Sequence, residues 1–157
     1  MLIRKAQEGD LTSIWSLVLT LAENEGSSEK IRIKIDDLRE FLFSQSPCLF
    51  ALVAENNSDV VGIALYYYRI STWIGKTLHL EDLVVSETSR GKGIGTLLFK
   101  AIAKESLLSN CFRLDWEVSF TNEKGRRFYD KLGADFEENW RICRMEHQAI
   151  IACANEE

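Results

Sequence analysis

The sequence predicts a mixed α/β fold: a central mixed sheet of six to seven strands flanked by about four helices. Three observations predict it. Strand-like runs joined by short turns dominate the first half, whereas helical and strand-like runs alternate in the second. Asn56-Asn57-Ser58-Asp59 sits between two apolar runs and marks a hairpin. A glycine-rich segment, Arg90-Gly91-Lys92-Gly93-Ile94-Gly95-Thr96, divides a strand-like run from a helix-like one.

The elements follow in order. Leu2 to Arg4 is a short first strand. Asp10 is placed to cap the first helix, whose Leu11, Ile14, Trp15, Val18, Leu21 and Ala22 recur on one face. Glu23 to Lys30 is a polar loop. Asp36 to Phe43 forms a second helix with Leu38, Phe41 and Leu42 apolar. Pro47, the only proline, precedes strands at Leu49 to Glu55 and Val60 to Tyr68. Lys76 to Ser86 is the fourth strand and Gly93 to Leu108 the central helix. Phe112 to Ser119 is the fifth strand. Asn122 to Leu132 is a helix stopped by Gly133, a residue suited to a left-handed turn. Ala134 to Glu146 supplies the last one or two strands, and 147–157 reads as a tail.

At 157 residues the chain is expected to form a single domain, 1–157, with a sizeable core. It is 46% apolar and 27% charged, ordinary values for a globular protein. A net charge of −5 argues against nucleic acid as a partner and weakly favours a cationic one. Cys48, Cys111, Cys143 and Cys153 form no Cys-x-x-Cys pair, and His79 and His147 lie far apart in sequence, so no metal is expected. The first residues carry Arg4, Lys5, Glu8 and Asp10 in place of an apolar leader. The longest uncharged run, Leu11 to Ala22, is too short to span a bilayer. A cytoplasmic location without membrane attachment is expected.

The glycine segment carries the chemistry. Glycine admits positive φ and close backbone approach. The first amides of a helix have no intrahelical partner and lie at the positive end of its dipole. Strand, glycine turn and helix start together suit a pyrophosphate. Gly91-Lys92 is followed by Gly93, not Ser or Thr, so the segment is not a P-loop. Gly91 and Gly93 are followed by Thr96 where the dinucleotide fingerprint needs a third glycine. The spacing Arg90-x-x-Gly93-x-Gly95 resembles the R/Q-x-x-G-x-G/A motif of the GNAT acetyltransferases. A turn that merely caps a helix would use the same residues.

The resemblance extends further. Asn122 to Ala134 is similar to the family's N-x-x-A-x-x-F-Y-x-K-x-G-F/A signature. Tyr66-Tyr67-Tyr68, Trp73-Ile74-Gly75-Lys76, Leu80-Glu81-Asp82-Leu83-Val84-Val85 and Trp140-Arg141 resemble the diamine branch, which includes spermidine/spermine and thialysine N-acetyltransferases. The likeness covers roughly residues 2 to 146. Two departures stand out. In Glu23-Asn24-Glu25-Gly26-Ser27-Ser28, Glu25 matches the branch's acid but Asn24 replaces its aromatic. Gly125 replaces a small helix-forming residue.

The resemblance implies acetyl-CoA as cosubstrate, a mostly antiparallel sheet whose fourth and fifth strands splay, and a homodimer whose interface lies near Trp140 and Arg141. It implies that backbone groups of Leu83, Val84 and Val85 hold the pantetheine arm. The pyrophosphate would lie on Arg90, Gly91, Lys92, Gly93, Ile94, Gly95 and Thr96. Asn122, Lys124 and Gly125 would flank the cosubstrate, with Arg126 and Arg127 either at its nucleotide end or in solvent.

Acetylation needs a neutral amine, yet an alkylamine has a pKa near 10.4 and arrives charged. Glu81 is the candidate base, acting through water. Tyr129, protonated at neutral pH, is the candidate acid for the thiolate. Gly125, Phe128, Tyr129 and Leu132 fall on one helix face. In a regular strand Glu81 and Asp82 point to opposite sides; a bulge, which the resemblance implies, would let both contribute. Asp115 and Glu117 share a face of the fifth strand. With Glu25, Glu81 and Asp82 they would form an acidic groove for a second ammonium group. The expected activity is acetyl transfer to a small diamine, polyamine or thialysine-like amine in a ternary complex. A protein lysine, peptide N-terminus or amino acid as acceptor, or a non-catalytic acyl-CoA-binding module, are the alternatives.

Overall fold

A computed structural model of the protein describes residues 1–155. It contains two compact units, the first spanning Met1–Glu117 and the second starting at Val118.

The first unit holds β1 (Leu2–Lys5), α1 (Leu11–Asn24), α2 (Ile35–Phe43), β2 (Phe50–Asn56), β3 (Asp59–Ser71), β4 (Gly75–Val85), α3 (Ile94–Leu108) and β5 (Arg113–Trp116). The five strands form one sheet in sequence order. Neighbours are antiparallel through β4, and β5 runs parallel to β4. A parallel pair needs a long crossover, which α3 provides.

Local chemistry sets the turns. Asn57 and Ser58 lie at φ 50° and 71°, so the predicted hairpin closes through two left-handed residues. Between β3 and β4, the Ser71 hydroxyl accepts from the amides of Trp73 and Ile74, and Gly75 lies at φ 97°.

Two helical layers cover the sheet. On one face Ala51, Val53, Ile63, Leu65 and Val84 form a single apolar cluster with Leu11, Ile14, Leu17, Leu38 and Leu42 of α1 and α2. On the other face the Tyr68 hydroxyl reaches Glu105 and Ser109 at 3.2 and 2.7 Å, at the far end of α3. Gly62 permits this layer to close: a Cβ there would lie 3.0 Å from the Val84 carbonyl oxygen and 3.1 Å from Leu98 Cδ1.

The second unit contains α4 (Glu123–Asp130) and α5 (His147–Asn155). Gly133 adopts φ 82°, as the sequence predicts.

Several expectations need correction. The sheet has five strands, not six to seven, and the described residues contain five α-helices, not about four. Ala134 to Glu146 forms no strand, and His147–Asn155 is helical where a tail was expected. An apolar pattern makes a segment compatible with a strand, but a strand also needs a ladder partner for its backbone groups. The fifth strand ends at Trp116, short of Ser119. There the chain turns, with the Ser119 carbonyl accepting from the Asn122 amide at 3.0 Å. Asp10 occupies the N-cap position of α1 but makes no side-chain cap. Its carboxylate accepts instead from the Gln7 amide and from Arg4, which also binds Glu55.

Candidate active site

The pairing of β3 with β4 shifts by one residue in mid-strand. Leu65 faces Asp82 and Tyr66 faces Leu80, so Glu81 is an extra residue without a cross-strand partner. This is a β-bulge, and it reverses the alternation of the strand. Before the bulge, His79 pairs with Tyr67; after it, Asp82 pairs with Leu65 and Val84 with Ile63. Tyr67, Leu65 and Ile63 point to the α1–α2 face. His79, Asp82 and Val84 therefore join them, while Leu78, Leu80 and Leu83 lie opposite Tyr68, Tyr66 and Ala64 on the α3 face.

On the α1–α2 side lies a cavity of about 480 Å³. Its walls include Val18, Leu38, Phe41, Leu49 and Leu65, and its polar groups include Tyr67, Glu81 and Asp82. Burial pushes the Asp82 carboxyl up to about 6, with Glu81 and then Glu25 adding like-charge repulsion. Glu81 itself is exposed. Glu25, just past the end of α1, is also exposed and reaches the site through its field on Asp82.

The fifth-strand acids behave differently from each other. Asp115 is held by three partners: His79 Nδ1 at 3.0 Å, Arg69 Nη1 at 3.1 Å and Arg113 Nε at 2.8 Å. Burial acts to raise this carboxyl, but the hydrogen bonds from His79 and Arg113 outweigh it and hold the group below the usual carboxylate range. Glu117 lies one residue beyond the end of β5 and is exposed. Both acids act on Tyr67, whose phenol is raised by burial first and by Glu81 second.

The parallel β4–β5 ladder covers only Thr77 to Leu80 against Arg113 to Trp116. β5 ends at Trp116, opposite Leu80, so from Glu81 to Val85 β4 continues without β5 beside it. Among the described residues no strand pairs with this side of Leu83, Val84 and Val85.

Past this edge runs the glycine segment. Gly91 and Gly93 lie at φ 76° and 79°, and Gly93 is the N-cap of α3. No side chain caps the helix, leaving the first-turn amides at Ile94, Gly95 and Thr96 turned outward. No heavy atom lies within 4 Å of a Cβ built on Gly91 or Gly93. Arg90 Nε donates to the Val85 carbonyl at 3.1 Å and Lys92 Nζ to the Thr88 carbonyl at 2.9 Å, so both cations brace the loop.

Within the second unit, Asn122 caps α4 by accepting from the Gly125 amide at 2.8 Å. Gly125, Phe128, Tyr129 and Leu132 are half-buried on one side, as their spacing predicts. The Phe128 and Tyr129 rings pack edge-to-face at 5.1 Å. Lys124 is exposed, Arg127 pairs with Glu123 at 2.6 Å, and Arg126 stacks on Phe120 and Phe136.

The model of the acetyltransferase (GNAT) family matches residues 11–134 of the chain. The chain belongs to that family. A thialysine N-epsilon-acetyltransferase from Bos taurus is 36% identical, covering 96% of this chain and 95% of that protein. The human spermidine/spermine N(1)-acetyltransferase-like protein 1 is 30% identical over 99% of this chain and 24% of its own length. Among solved structures, an integron cassette protein from the mobile metagenome of V. cholerae superposes with a TM-score of 0.81 at 25% identity, covering 99% of this chain and 98% of that one.

The protein is thus a GNAT acetyltransferase, of a class whose acetyl donor is acetyl-CoA. Its residues fit such a cosubstrate. The open amides of α3 and the bare loop at Gly91 and Gly93 suit a pyrophosphate. The free edge of β4 suits the amide-bearing pantetheine arm. Among the described residues no group of three His, Cys, Asp or Glu is placed to hold a metal ion. No described helix is long and apolar enough to cross a membrane. Sequence reasoning about this acetyltransferase missed Tyr67, His79 and Arg69. Their signal was parity: Tyr67 and Arg69 lie on one side of β3, but only the register brings His79 and Asp115 to them.

Proposed function

We propose that this acetyltransferase moves the acetyl group of acetyl-CoA to a primary amine of a small diamine, polyamine or thialysine-like substrate, by direct transfer in a ternary complex. The observation that carries the reading is the bulge, which brings Glu81 and Asp82 into one cavity with apolar walls. An alkylamine has a cationic head and a methylene arm, and such a cavity suits both. The names of the relatives, thialysine and spermidine/spermine acetyltransferases, support the same class.

Each residue has a role in this reading. Asp82, ionised above about pH 6, attracts the ammonium group, with Glu25 reinforcing the field. Glu81 takes the amine's proton through a water molecule. Glu117 adds to the negative potential, whereas the charge of Asp115 is offset by its Arg69 and Arg113 pairs. Backbone groups of Leu83, Val84 and Val85 orient the pantetheine arm, and Arg90 to Thr96 hold the pyrophosphate. Asn122, Lys124 and Gly125 flank the cosubstrate. Acetyl-CoA supplies the activated thioester, and Tyr129 protonates the departing thiolate. The protein acts in the cytoplasm as a homodimer.

Steady-state assay of the whole protein with acetyl-CoA and a panel of amines tests the proposal. Diamines, polyamines and thialysine are expected to give acetylated amine and free CoA. Turnover restricted to peptides or amino acids rejects the substrate class. Tight CoA binding with no product from any amine rejects catalysis.

A further inference from the structure

His79 is almost fully buried, 6% exposed, at the last stretch of β4 that β5 covers. Its ring is fixed on every side. Nδ1 lies 3.0 Å from Asp115 Oδ1 and 3.3 Å from Arg69 Nη1. A carboxylate can only accept at that distance, so Nδ1 carries a proton and donates it to Asp115. Tyr67 packs against the ring at a tilt of 37°, with centroids 4.9 Å apart. The remaining nitrogen, Nε2, lies 3.7 Å from Glu81 Oε2.

We propose that His79 is a positioning residue for Glu81, anchored by Asp115 so that Nε2 faces the bulge carboxylate and fixes it at the cavity. The inference rests on Glu81 being the base of the proposed reaction. A bulge residue has no cross-strand partner to set its orientation. Glu81 is exposed, so a carboxylate there would sample many rotamers. An imidazole whose own orientation is locked removes that freedom when Nε2 also carries a proton, because a bare Nε2 and a carboxylate both only accept. The charged and titratable groups around the ring are Glu81 and Asp82 on β4, Arg69 and Tyr67 on β3, and Asp115 and Arg113 on β5, with Glu117 beyond it. This also gives the Arg69–Asp115–Arg113 network a purpose: it holds the histidine.

The test compares H79N, H79Q, E81Q and H79N/E81Q in the whole protein. Asparagine keeps a donor where Nδ1 reaches Asp115 but removes Nε2; glutamine places an amide near the Nε2 position. The thermal midpoint of H79N should stay close to that of the parent protein. Its kcat should fall by about tenfold, with KM for acetyl-CoA unchanged, and the shape of its kcat/KM profile against pH should change. H79Q should recover part of the lost kcat. H79N/E81Q should be no slower than E81Q alone, since both changes remove one function. Parental kcat and pH profile in H79N, beside a slow E81Q, overturn the positioning role. So does a double variant whose loss is the product of the two single losses. A fast E81Q in an active enzyme removes Glu81 as base and this inference with it, whereas an inactive parent protein rejects the proposed reaction itself. If H79N does not fold, H79Q is judged by the same comparison: a parental pH profile overturns the role.

Discussion

Glu81 and Asp82 are consecutive in sequence, yet both line the same cavity. Neighbours in a regular strand point to opposite faces. The bulge between the Leu65–Asp82 and Tyr66–Leu80 pairs removes that restriction. The two carboxylates then have different environments, one exposed and one pushed up by burial. Their losses should separate in kinetics. E81Q should lower kcat by about a hundredfold with little effect on amine KM, as expected for a lost base. D82N should mainly raise amine KM. Equal effects of both variants on kcat and KM would reject the division of labour.

Asp82 should also cost the protein stability at neutral pH. Its folded pKa of about 6 lies above the ordinary value of 3.8. The contribution of Asp82 is fully present below the unfolded value and is lost as pH rises through the folded one. D82N should therefore be more stable than the parent protein above pH ~6, by on the order of 2 kcal/mol. The gap should close toward pH ~4. Urea denaturation at both pH values measures it. A D82N protein no more stable at neutral pH would contradict the burial argument.

Arg4 joins three elements with one guanidinium. It bonds both Asp10 oxygens, at 2.7 and 2.9 Å, and Glu55 at 2.6 Å. Asp10 is buried, and Arg4 holds its carboxyl below the usual range against the opposing effect of burial. Stability from Asp10 is present above its unfolded value and lost as pH falls through the folded one. R4A should destabilise by about 2–3 kcal/mol, because it strands a buried charge. Much of that deficit should disappear in acid, where Asp10 is protonated. Denaturant midpoints across the acid range check both statements.

Gly93 adopts φ 79° at the N-cap of α3, in otherwise empty space. Alanine there meets no steric neighbour but must adopt a left-handed conformation, which costs about 1 kcal/mol. G93A should lose about that much stability and raise KM for acetyl-CoA severalfold, leaving amine KM near the parental value. Calorimetric titration with CoA is an independent check. Unaltered CoA affinity would exclude this turn from the cosubstrate site.

Much of this fold follows from local pattern. Asn56 to Asp59, Gly93 and Gly133 each mark a turn through positive φ or hairpin composition, and the structure has a turn at each. The first helix is legible from Leu11, Ile14 and Val18 because burial on one face leaves a 3.6-residue period. Ala134 to Glu146 misleads because strand pairing is non-local. The candidate site divides in the same way. The glycine segment is contiguous and legible, whereas the link from His79 to Asp115 spans 36 residues and depends on register. The engagement of Asp115 by Arg69 was invisible for that reason, whereas Arg113, two residues earlier in the same strand, shares its face by alternation alone. A sequence read one strand at a time shows the acid on a face, but not the cation that another strand brings to it.

The bracing of the glycine loop by Arg90 and Lys92 bears on the timing of entropy loss. A bare glycine turn would stay supple, and an incoming anion would have to freeze it. Here the carbonyls of Val85 and Thr88 already restrain the two cations that flank Gly91. The loop's freedom is surrendered while the chain folds, so its shape is ready before any phosphate arrives. Cutting either tether would leave the amides in place and still weaken binding, through the disorder restored to the unliganded protein.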